Sequence, residues 1–136
     1  MARTTSTLRR WRFYATESGR QPVREFLDDR SLPGADRAEI VAAMKRVRVG
    51  GPVIARHLRA DIFEMRAEGR DASYRLLFAT EGASSQVLLA LTAFSKKTQR
   101  TPRRELELAE RRLADWRSRG RRAARRPWTT DNLYMR

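Results

Sequence analysis

The sequence has no cysteine and a single histidine, His57. Without cysteine the chain can form neither disulfide bonds nor cysteine-ligated zinc sites, and a reducing compartment suits it. No spacing of the acidic residues resembles a calcium loop or a two-metal nuclease site, so we predict no metal ion and no other cofactor. His57 lies in a basic stretch beside Arg56 and Arg59, where a structural or phosphate-contacting role is favoured over catalysis.

Long apolar segments and several enzyme motifs are also lacking. The longest apolar run, residues 87–91, is too short to span a bilayer, and no apolar stretch of signal-peptide length follows the basic residues 1–12. We therefore expect a cytoplasmic protein with no membrane contact. The Gly-x-Ser-x-Gly elbow, the Walker motif and the dinucleotide fingerprint are missing, which argues against serine acyl transfer and nucleotide-cofactor enzymes.

Positive charge, by contrast, is in large excess. The 30 Lys and Arg residues outnumber the 16 Asp and Glu residues, for a formal net charge of +14, and only three of the cations are lysines. Such a charge attracts polyanions, because each phosphate that is neutralised releases condensed counterions. Nucleic acid is thus the first partner to consider. A merely soluble basic protein, or the codon bias of a high-GC genome, would give a similar composition.

The first half of the chain has the pattern of an edge strand followed by two helices. Residues 11–15 form a short aromatic segment, and Pro22 stands at a suitable first position for a short helix. A second helix is predicted over residues 35–49, and the two helices form a predicted hairpin. Their apolar residues recur at helical spacing: Val23, Phe26 and Leu27 in the first helix, and Ile40, Met44 and Val47 in the second.

Three strands are predicted next, over residues 62–67, 73–79 and 86–94. Loops that contain Gly69 and Gly82 separate them, so we predict an antiparallel meander. The third strand is nearly all apolar, which indicates a central strand covered on both faces.

A third helix should follow, with Thr101 as its N-cap and Pro102 at its first position. It has an apolar stripe of Leu106, Ala109, Leu113 and Trp116. The predicted fold is therefore α+β: an N-terminal helical hairpin packed on a small antiparallel sheet, plus a C-terminal helix. We assign residues 1–118 to this domain and residues 119–136, which are rich in arginine and lack hydrophobic periodicity, to a flexible basic tail.

The first two strands of the meander place cations close together. If the turn between them is symmetric, Arg66 lies opposite Arg75, and cross-strand partners project from the same face. Like charges in this position are destabilising, so either Glu64 bridges them or they present a site for an anion. A solvated face with ordinary Glu64–arginine pairs is the alternative.

A second group of cations follows the third strand. Five of them lie between Ser95 and Arg104, in a loop that leads into a helix N-terminus, and both features attract phosphate. They are Lys96, Lys97, Arg100, Arg103 and Arg104. An ordinary basic loop without a particular partner is the alternative interpretation.

These residues occur in an order that resembles the RelE/HigB superfamily of bacterial and phage-derived toxins. The resemblance covers about residues 11–117, and no single segment of it is diagnostic. It runs through Trp11-Arg12-Phe13-Tyr14, Gly19-Arg20-Gln21-Pro22-Val23 with Phe26-Leu27, Ile62-Phe63-Glu64-Met65-Arg66, Tyr74-Arg75-Leu76-Leu77-Phe78, Leu91-Thr92-Ala93-Phe94-Ser95-Lys96-Lys97, and Thr101-Pro102 with Glu105, Ala109 and Arg112.

Membership would imply a RelE-like fold and a specific activity. Toxins of this kind enter the ribosomal A site and cleave messenger RNA without a metal. Their partner is a cognate antitoxin, here expected to be a helix-turn-helix protein of the HigA type, which covers the active surface and binds operator DNA. In such cleavage the 2′-hydroxyl of one nucleotide attacks the next phosphate, which requires proton removal, stabilisation of the phosphorane and protonation of the leaving oxygen.

The resemblance also suggests roles for the candidate residues. Arg66 and Arg75 stay protonated and suit phosphate stabilisation. Lys96 or Lys97 could act as base or acid, because neighbouring cations lower a lysine pKa, and Glu64 is either another base or the residue that orients Arg66. Arg100, Arg103, Arg104 and Tyr74 are candidate RNA contacts, although packing in the sheet is the favoured role for Tyr74. Some family members use a histidine or an acidic residue that this chain does not offer.

Two other functions remain open from the sequence. A non-catalytic nucleic-acid-binding or regulatory protein would also be strongly basic. A toxin of the same fold could instead poison DNA gyrase, although the loop at Lys96 and Lys97 favours RNA.

Overall fold

The computed structural model describes residues 9–96 and 100–124. Within these ranges the chain forms three α-helices, one 3₁₀ turn and five β-strands, which confirms the α+β class. The elements are β1 (Arg10–Phe13), α1 (Pro22–Asp28), α2 (Gly34–Gly50), the 3₁₀ turn (Pro52–Ile54), β2 (Arg56–Arg59), β3 (Ile62–Glu68), β4 (Ser73–Glu81), β5 (Val87–Lys96) and α3 (Arg103–Ala124). None of the helices in this part of the chain is long and apolar enough to cross a membrane.

The strands form one sheet in the order β1-β5-β4-β3-β2. The predicted meander is confirmed, because β3, β4 and β5 pair antiparallel, and β2 extends the sheet by pairing antiparallel with β3. β1, however, runs parallel to β5, with Arg10 opposite Val87 and Phe13 opposite Ala90. The prediction of a wholly antiparallel sheet is therefore wrong. Parallel pairing requires a long connection, and the chain between β1 and β5 includes α1, α2 and the strands β2, β3 and β4.

One face of the sheet is covered by α1 and α2, whose apolar stripes are buried as the periodicity predicts. The core on this side contains Val23, Leu27, Ile40, Met44, Val47, Met65, Phe78 and Leu88. The Trp11 indole also packs here, edge-on to Phe78, and its N–H donates to the backbone carbonyl of Met44 at 2.8 Å. These contacts attach the first strand to the second helix.

The predicted hairpin of α1 and α2 is not confirmed. Residues 29–33 connect the two helices, and the Arg37 side chain donates to the backbone carbonyl of Leu27, at 2.5 Å. Both helices contact the sheet, α1 through β5 and α2 through β3. Direct packing of one helix on the other stays a prediction.

The opposite face of the sheet is covered by α3. Its core contains Ile62, Leu77, Ala79, Leu89, Leu91, Ala109 and Leu113, and the partly buried Leu106 and Trp116 pack against it. The predicted stripe of α3 is therefore confirmed. β5 is buried between the two layers, as its apolar run predicts, because Leu88 and Ala90 point to one core and Leu89 and Leu91 to the other.

Asp36 of α2 anchors the turn between β3 and β4. Its buried carboxylate accepts the Tyr74 hydroxyl at 2.5 Å and the backbone N–H of Arg70 at 3.1 Å. A Cβ at Gly69 would collide with this carboxylate, so the turn needs glycine there. Burial and the bond to Asp36 raise the pKa of Tyr74 to about 12. The Tyr74 ring is buried in the core beside Phe26, which agrees with the packing role that the sequence favours, and its contact with RNA stays a prediction.

The ends of α3 differ from the prediction. The carbonyl of Pro102 accepts the backbone N–H groups of Glu105 and Leu106, at 3.1 and 3.2 Å, whereas the Thr101 hydroxyl bonds to Glu64. The predicted N-cap role of Thr101 is therefore wrong. At its other end the helix continues to Ala124, past the domain boundary predicted at residue 118. The rest of the predicted tail, residues 125–136, lies outside the described residues.

We predict that Leu113→Ala lowers the free energy of unfolding by about 2–5 kcal/mol, because it leaves a cavity where α3 packs on the sheet. The control Arg111→Ala, at an exposed position of the same helix, should change it by less than about 0.5 kcal/mol. Urea denaturation followed by circular dichroism measures both. Equal effects of the two variants would show that α3 is not part of the folded core.

Candidate active site

Five charged side chains from four neighbouring strands lie on the sheet face that α3 covers, and we call them the charged cluster. Strand register accounts for the grouping, because cross-strand partners and residues two apart share a face. Arg66 lies opposite Arg75, as the sequence predicts, while Arg56 lies opposite Glu64 and Lys96 lies opposite Ser73. The cluster consists of Arg56, Glu64, Arg66, Arg75 and Lys96.

Glu64 is the buried centre of the cluster, with 1% of its surface exposed. Its Oε1 lies 3.4 Å from Arg66 Nε, and its Oε2 lies 3.8 Å from Arg75 Nε. The Thr101 hydroxyl also donates to Oε2. The carboxylate therefore bridges the two facing arginines, which is the first of the two arrangements expected from the sequence.

Arg75 is held in place beside Glu64 and is 3% exposed. Its Nη1 donates to Ser73 Oγ at 2.5 Å and to the backbone carbonyl of Tyr74 at 3.1 Å, while Nε makes no hydrogen bond to the described residues. Burial lowers the pKa of Arg75, and the charge of Arg66 lowers it further. An arginine stays protonated even so, and Arg75 is a fixed positive charge.

Lys96 is 5% exposed, and its Nζ has no hydrogen-bond partner among the described residues. Burial lowers the pKa of Lys96, Glu64 opposes this effect, and Arg75, Arg66 and Arg56 add to it. A lysine in this environment has more of the neutral amine near neutral pH than an exposed lysine, so it can accept a proton. Its neighbour Lys97 lies outside the described residues.

Two members of the cluster face solvent. Arg66 and Arg56 are both exposed, and Arg66 contacts Glu64 through one edge of its guanidinium. Sequence analysis missed Arg56 as a site residue, because β2 has only four residues and lacks an apolar pattern. It also missed Thr101, whose contact with Glu64 spans 37 positions of the chain. The only local feature of the sequence that could have drawn attention to Arg56 is its position next to the single histidine, His57.

The remaining candidates lie at the edge of the cluster or away from it. Arg100, Arg103 and Arg104 are exposed where the chain enters α3, and Arg103 pairs with Glu107 of the same helix at 3.3 Å. Their contact with RNA stays a prediction. His57 has a structural environment: its Nε2 lies 2.6 Å from the backbone carbonyl of Ala60, and its ring lies against Phe63.

The cluster can bind an anion and move a proton. Four cations surround one carboxylate, so the site is electropositive and suits a phosphate, and the two arginines provide planar donors for its oxygens. Lys96 is the member of the cluster whose lowered pKa makes it a better proton acceptor than an exposed lysine. In the described part of the chain, no group of three or more Asp, Glu or His side chains could hold a metal ion.

Comparison with known proteins relates this chain to a toxin family. Residues 27–114 match the family described as "Phage derived protein Gp49-like (DUF891)", and this segment contains the whole charged cluster. Over 109 residues the chain is 34% identical to a protein named "Probable endoribonuclease HigB1" of Mycobacterium tuberculosis. The match covers 78% of this chain and 83% of the relative. The proteins of this name from strain CDC 1551 / Oshkosh and from strain ATCC 25618 / H37Rv have the same identity and coverage.

We predict that Lys96→Met stabilises the fold at neutral pH, by on the order of 1 kcal/mol, because it replaces a buried amine that lacks a hydrogen-bond partner among the described residues. The folded state holds the Lys96 proton less tightly than the unfolded state, so wild-type stability rises with pH between the two pKa values. The difference in stability between Lys96→Met and the wild type should therefore shrink as the pH is raised above neutral. Urea denaturation across this range measures it.

The exposed Lys45 provides the control for this experiment. Lys45→Met should leave the stability and its pH dependence nearly unchanged. A Lys96→Met variant that is less stable than wild type at neutral pH would contradict the prediction.

We predict that Glu64→Gln destabilises the protein by about 3 kcal/mol, because the buried cations lose the charge that balances them. The exposed Glu39→Gln is the control. Adding Lys96→Met to Glu64→Gln should recover part of the loss, since one of the unbalanced cations is then absent. A double-mutant cycle of urea denaturation midpoints measures this coupling, and additive effects of the two substitutions would exclude it.

Proposed function

The chain belongs to the Gp49-like family of phage-derived proteins and is a toxin of the HigB/RelE type, and from this premise we propose that it is an endoribonuclease that cleaves messenger RNA on the ribosome without a metal. The observation that carries the proposal is the charged cluster. It pairs exposed and buried arginines, which suit a phosphate, with a buried lysine, which suits proton transfer. The name of the relative, a probable endoribonuclease, supports the same reaction class.

In the proposed reaction the 2′-hydroxyl oxygen attacks the adjacent phosphorus, and the bond from phosphorus to the 5′-oxygen breaks. The neutral amine of Lys96 accepts the proton of the 2′-hydroxyl. Arg66 and Arg75 donate hydrogen bonds to the phosphate oxygens, where negative charge increases in the transition state. The leaving 5′-oxygen takes a proton from solvent or from Lys97. The products are a 2′,3′-cyclic phosphate and a 5′-hydroxyl.

Glu64 acts in this scheme as a positioning residue. Both of its carboxylate oxygens are already engaged, by Arg66 on one side and by Arg75 and Thr101 on the other. A proton acceptor needs a free lone pair, and in contrast to Glu64, Lys96 Nζ has no hydrogen-bond partner among the described residues. The alternative role of Glu64 as a base is thus less well supported than the role of orienting the arginines.

The proposed partners follow from the family and the charge. A toxin of a toxin–antitoxin pair has a cognate antitoxin, and we propose a helix-turn-helix protein of the HigA type that also binds operator DNA. The net charge of +14 favours association with ribosomal RNA, which is the polyanion that surrounds a translated messenger. Action on the ribosome would take place in the cytoplasm.

We predict that Arg66→Ala lowers the rate of messenger cleavage by about 100-fold, because the phosphate loses one donor in the transition state. The variant should stay folded, since Arg66 is exposed. Arg70→Ala, which removes an exposed arginine at the next turn, is the matched control and should retain the wild-type rate. Primer extension on a defined messenger in a reconstituted translation reaction measures the cuts.

The same assay, combined with measurements of RNA binding and of DNA supercoiling by gyrase, separates the alternatives. Equal cleavage of the messenger with and without ribosomes would rule out ribosome dependence, but not the nuclease. A folded wild-type protein that makes no cuts, while binding RNA with a steep salt dependence, would favour the non-catalytic function. Loss of DNA supercoiling activity without RNA cleavage would favour gyrase as the target.

A further inference from the structure

A pocket of about 220 Å³ opens directly beside the charged cluster. It lies between α2, the 3₁₀ turn and the edge formed by β2 and β3. Arg56, Glu64 and Arg66 are among the residues that line it, so the pocket and the cluster share three residues. An occupant of the pocket would therefore lie next to Arg66, one of the two arginines proposed to bind the phosphate.

The other walls of the pocket are mostly apolar. They include Val47 of α2, Ile54 of the 3₁₀ turn and Met65 of β3, with Arg46 at the rim. Ile54 is 54% exposed, which is unusual for isoleucine. A nucleobase can stack one face on a guanidinium plane, such as that of Arg46, and place its other face against the apolar wall.

The size of the pocket limits what it can hold. Pockets for drug-sized ligands range over about 300–1,000 Å³. A pocket of about 220 Å³ is smaller, and it suits a single ring system instead. The three arginines at its border, Arg46, Arg56 and Arg66, are complementary to an RNA backbone that would run past its mouth.

The edge of β3 supplies polar groups to the same pocket. β2 pairs with β3 only as far as Glu64, where Arg56 is the last partner. From Met65 onward β3 has no partner strand on this side among the described residues. Such an edge presents backbone N–H and C=O groups, which can form hydrogen bonds with the edge of a base.

From these observations we infer that the pocket receives one nucleobase of the RNA, next to the phosphate that Arg66 and Arg75 hold, and that it determines the base preference at that position. The inference rests on the proposed function for its biological role. The binding of a base can be measured without cleavage, which keeps the two claims separable.

The first experiment is a titration of the purified full-length protein, followed by methyl resonances in the NMR spectrum. Adenosine, guanosine, cytidine and uridine monophosphates are the probes, and ribose 5-phosphate is the probe that lacks a base. At least one nucleotide should shift the Ile54 and Val47 methyl resonances saturably, whereas ribose 5-phosphate should leave them unchanged. Equal shifts with ribose 5-phosphate, or no shift with any nucleotide, would overturn the inference.

Matched variants test the walls of the pocket. Ile54→Ala and Arg46→Gln should each weaken nucleotide binding at least about fivefold, because each removes a surface on which the base stacks. Val53→Ala and Arg48→Gln are the controls, since both residues are exposed and neither lines the pocket. Control variants that weaken binding as much as the pocket variants would overturn the inference.

Mapping of cut sites in induced cells connects the pocket to cleavage. Ile54→Ala should continue to cut, with a relaxed base preference at one position beside the cut, whereas Val53→Ala should keep the wild-type pattern. Saturable nucleotide binding without cuts by the wild-type protein would sustain the pocket and refute the nuclease. Cuts with the same base preference in Ile54→Ala and wild type would refute the role of the pocket in preference.

Discussion

Inside the charged cluster, the buried carboxylate of Glu64 balances the cations that β3 and β4 place opposite each other. Two facing arginines on one sheet repel, and removing Arg75 from water adds to the cost. The carboxylate offsets both effects and also fixes the direction in which each guanidinium points. The facing arginines of the register and the burial of Arg75 are therefore compatible because this charge is present.

The same carboxylate connects the cluster to α3. Thr101 donates to Glu64 just before the helix begins, and Ala109 and Leu113 then pack α3 on the sheet. The segment that leads into the helix is thus tied to the centre of the cluster. A site of this kind has a cost for stability, since burying an amine without a hydrogen-bond partner in the described chain is unfavourable.

The parts of this structure that could be predicted from sequence depend on local information. The apolar run of β5 predicts its central place, and the short turn between β3 and β4 predicts that Arg66 faces Arg75. The parallel pairing of β1 could not be predicted, because a four-residue strand carries no information about its distant partner. For the same reason Thr101 looked like a helix cap: its hydroxyl bonds to a residue that only the tertiary fold brings near.

Both outer strands of the sheet are short and positively charged. β1 and β2 have four residues each, with Arg10 and Arg12 on one and Arg56 and Arg59 on the other. An open strand edge can pair with a strand of another molecule. A sheet with two such edges could therefore join copies of the protein into fibrils. Here the edges of two copies carry the same charge and repel each other. The arginine-rich composition that favours nucleic acid therefore also disfavours pairing of copies through these two strands.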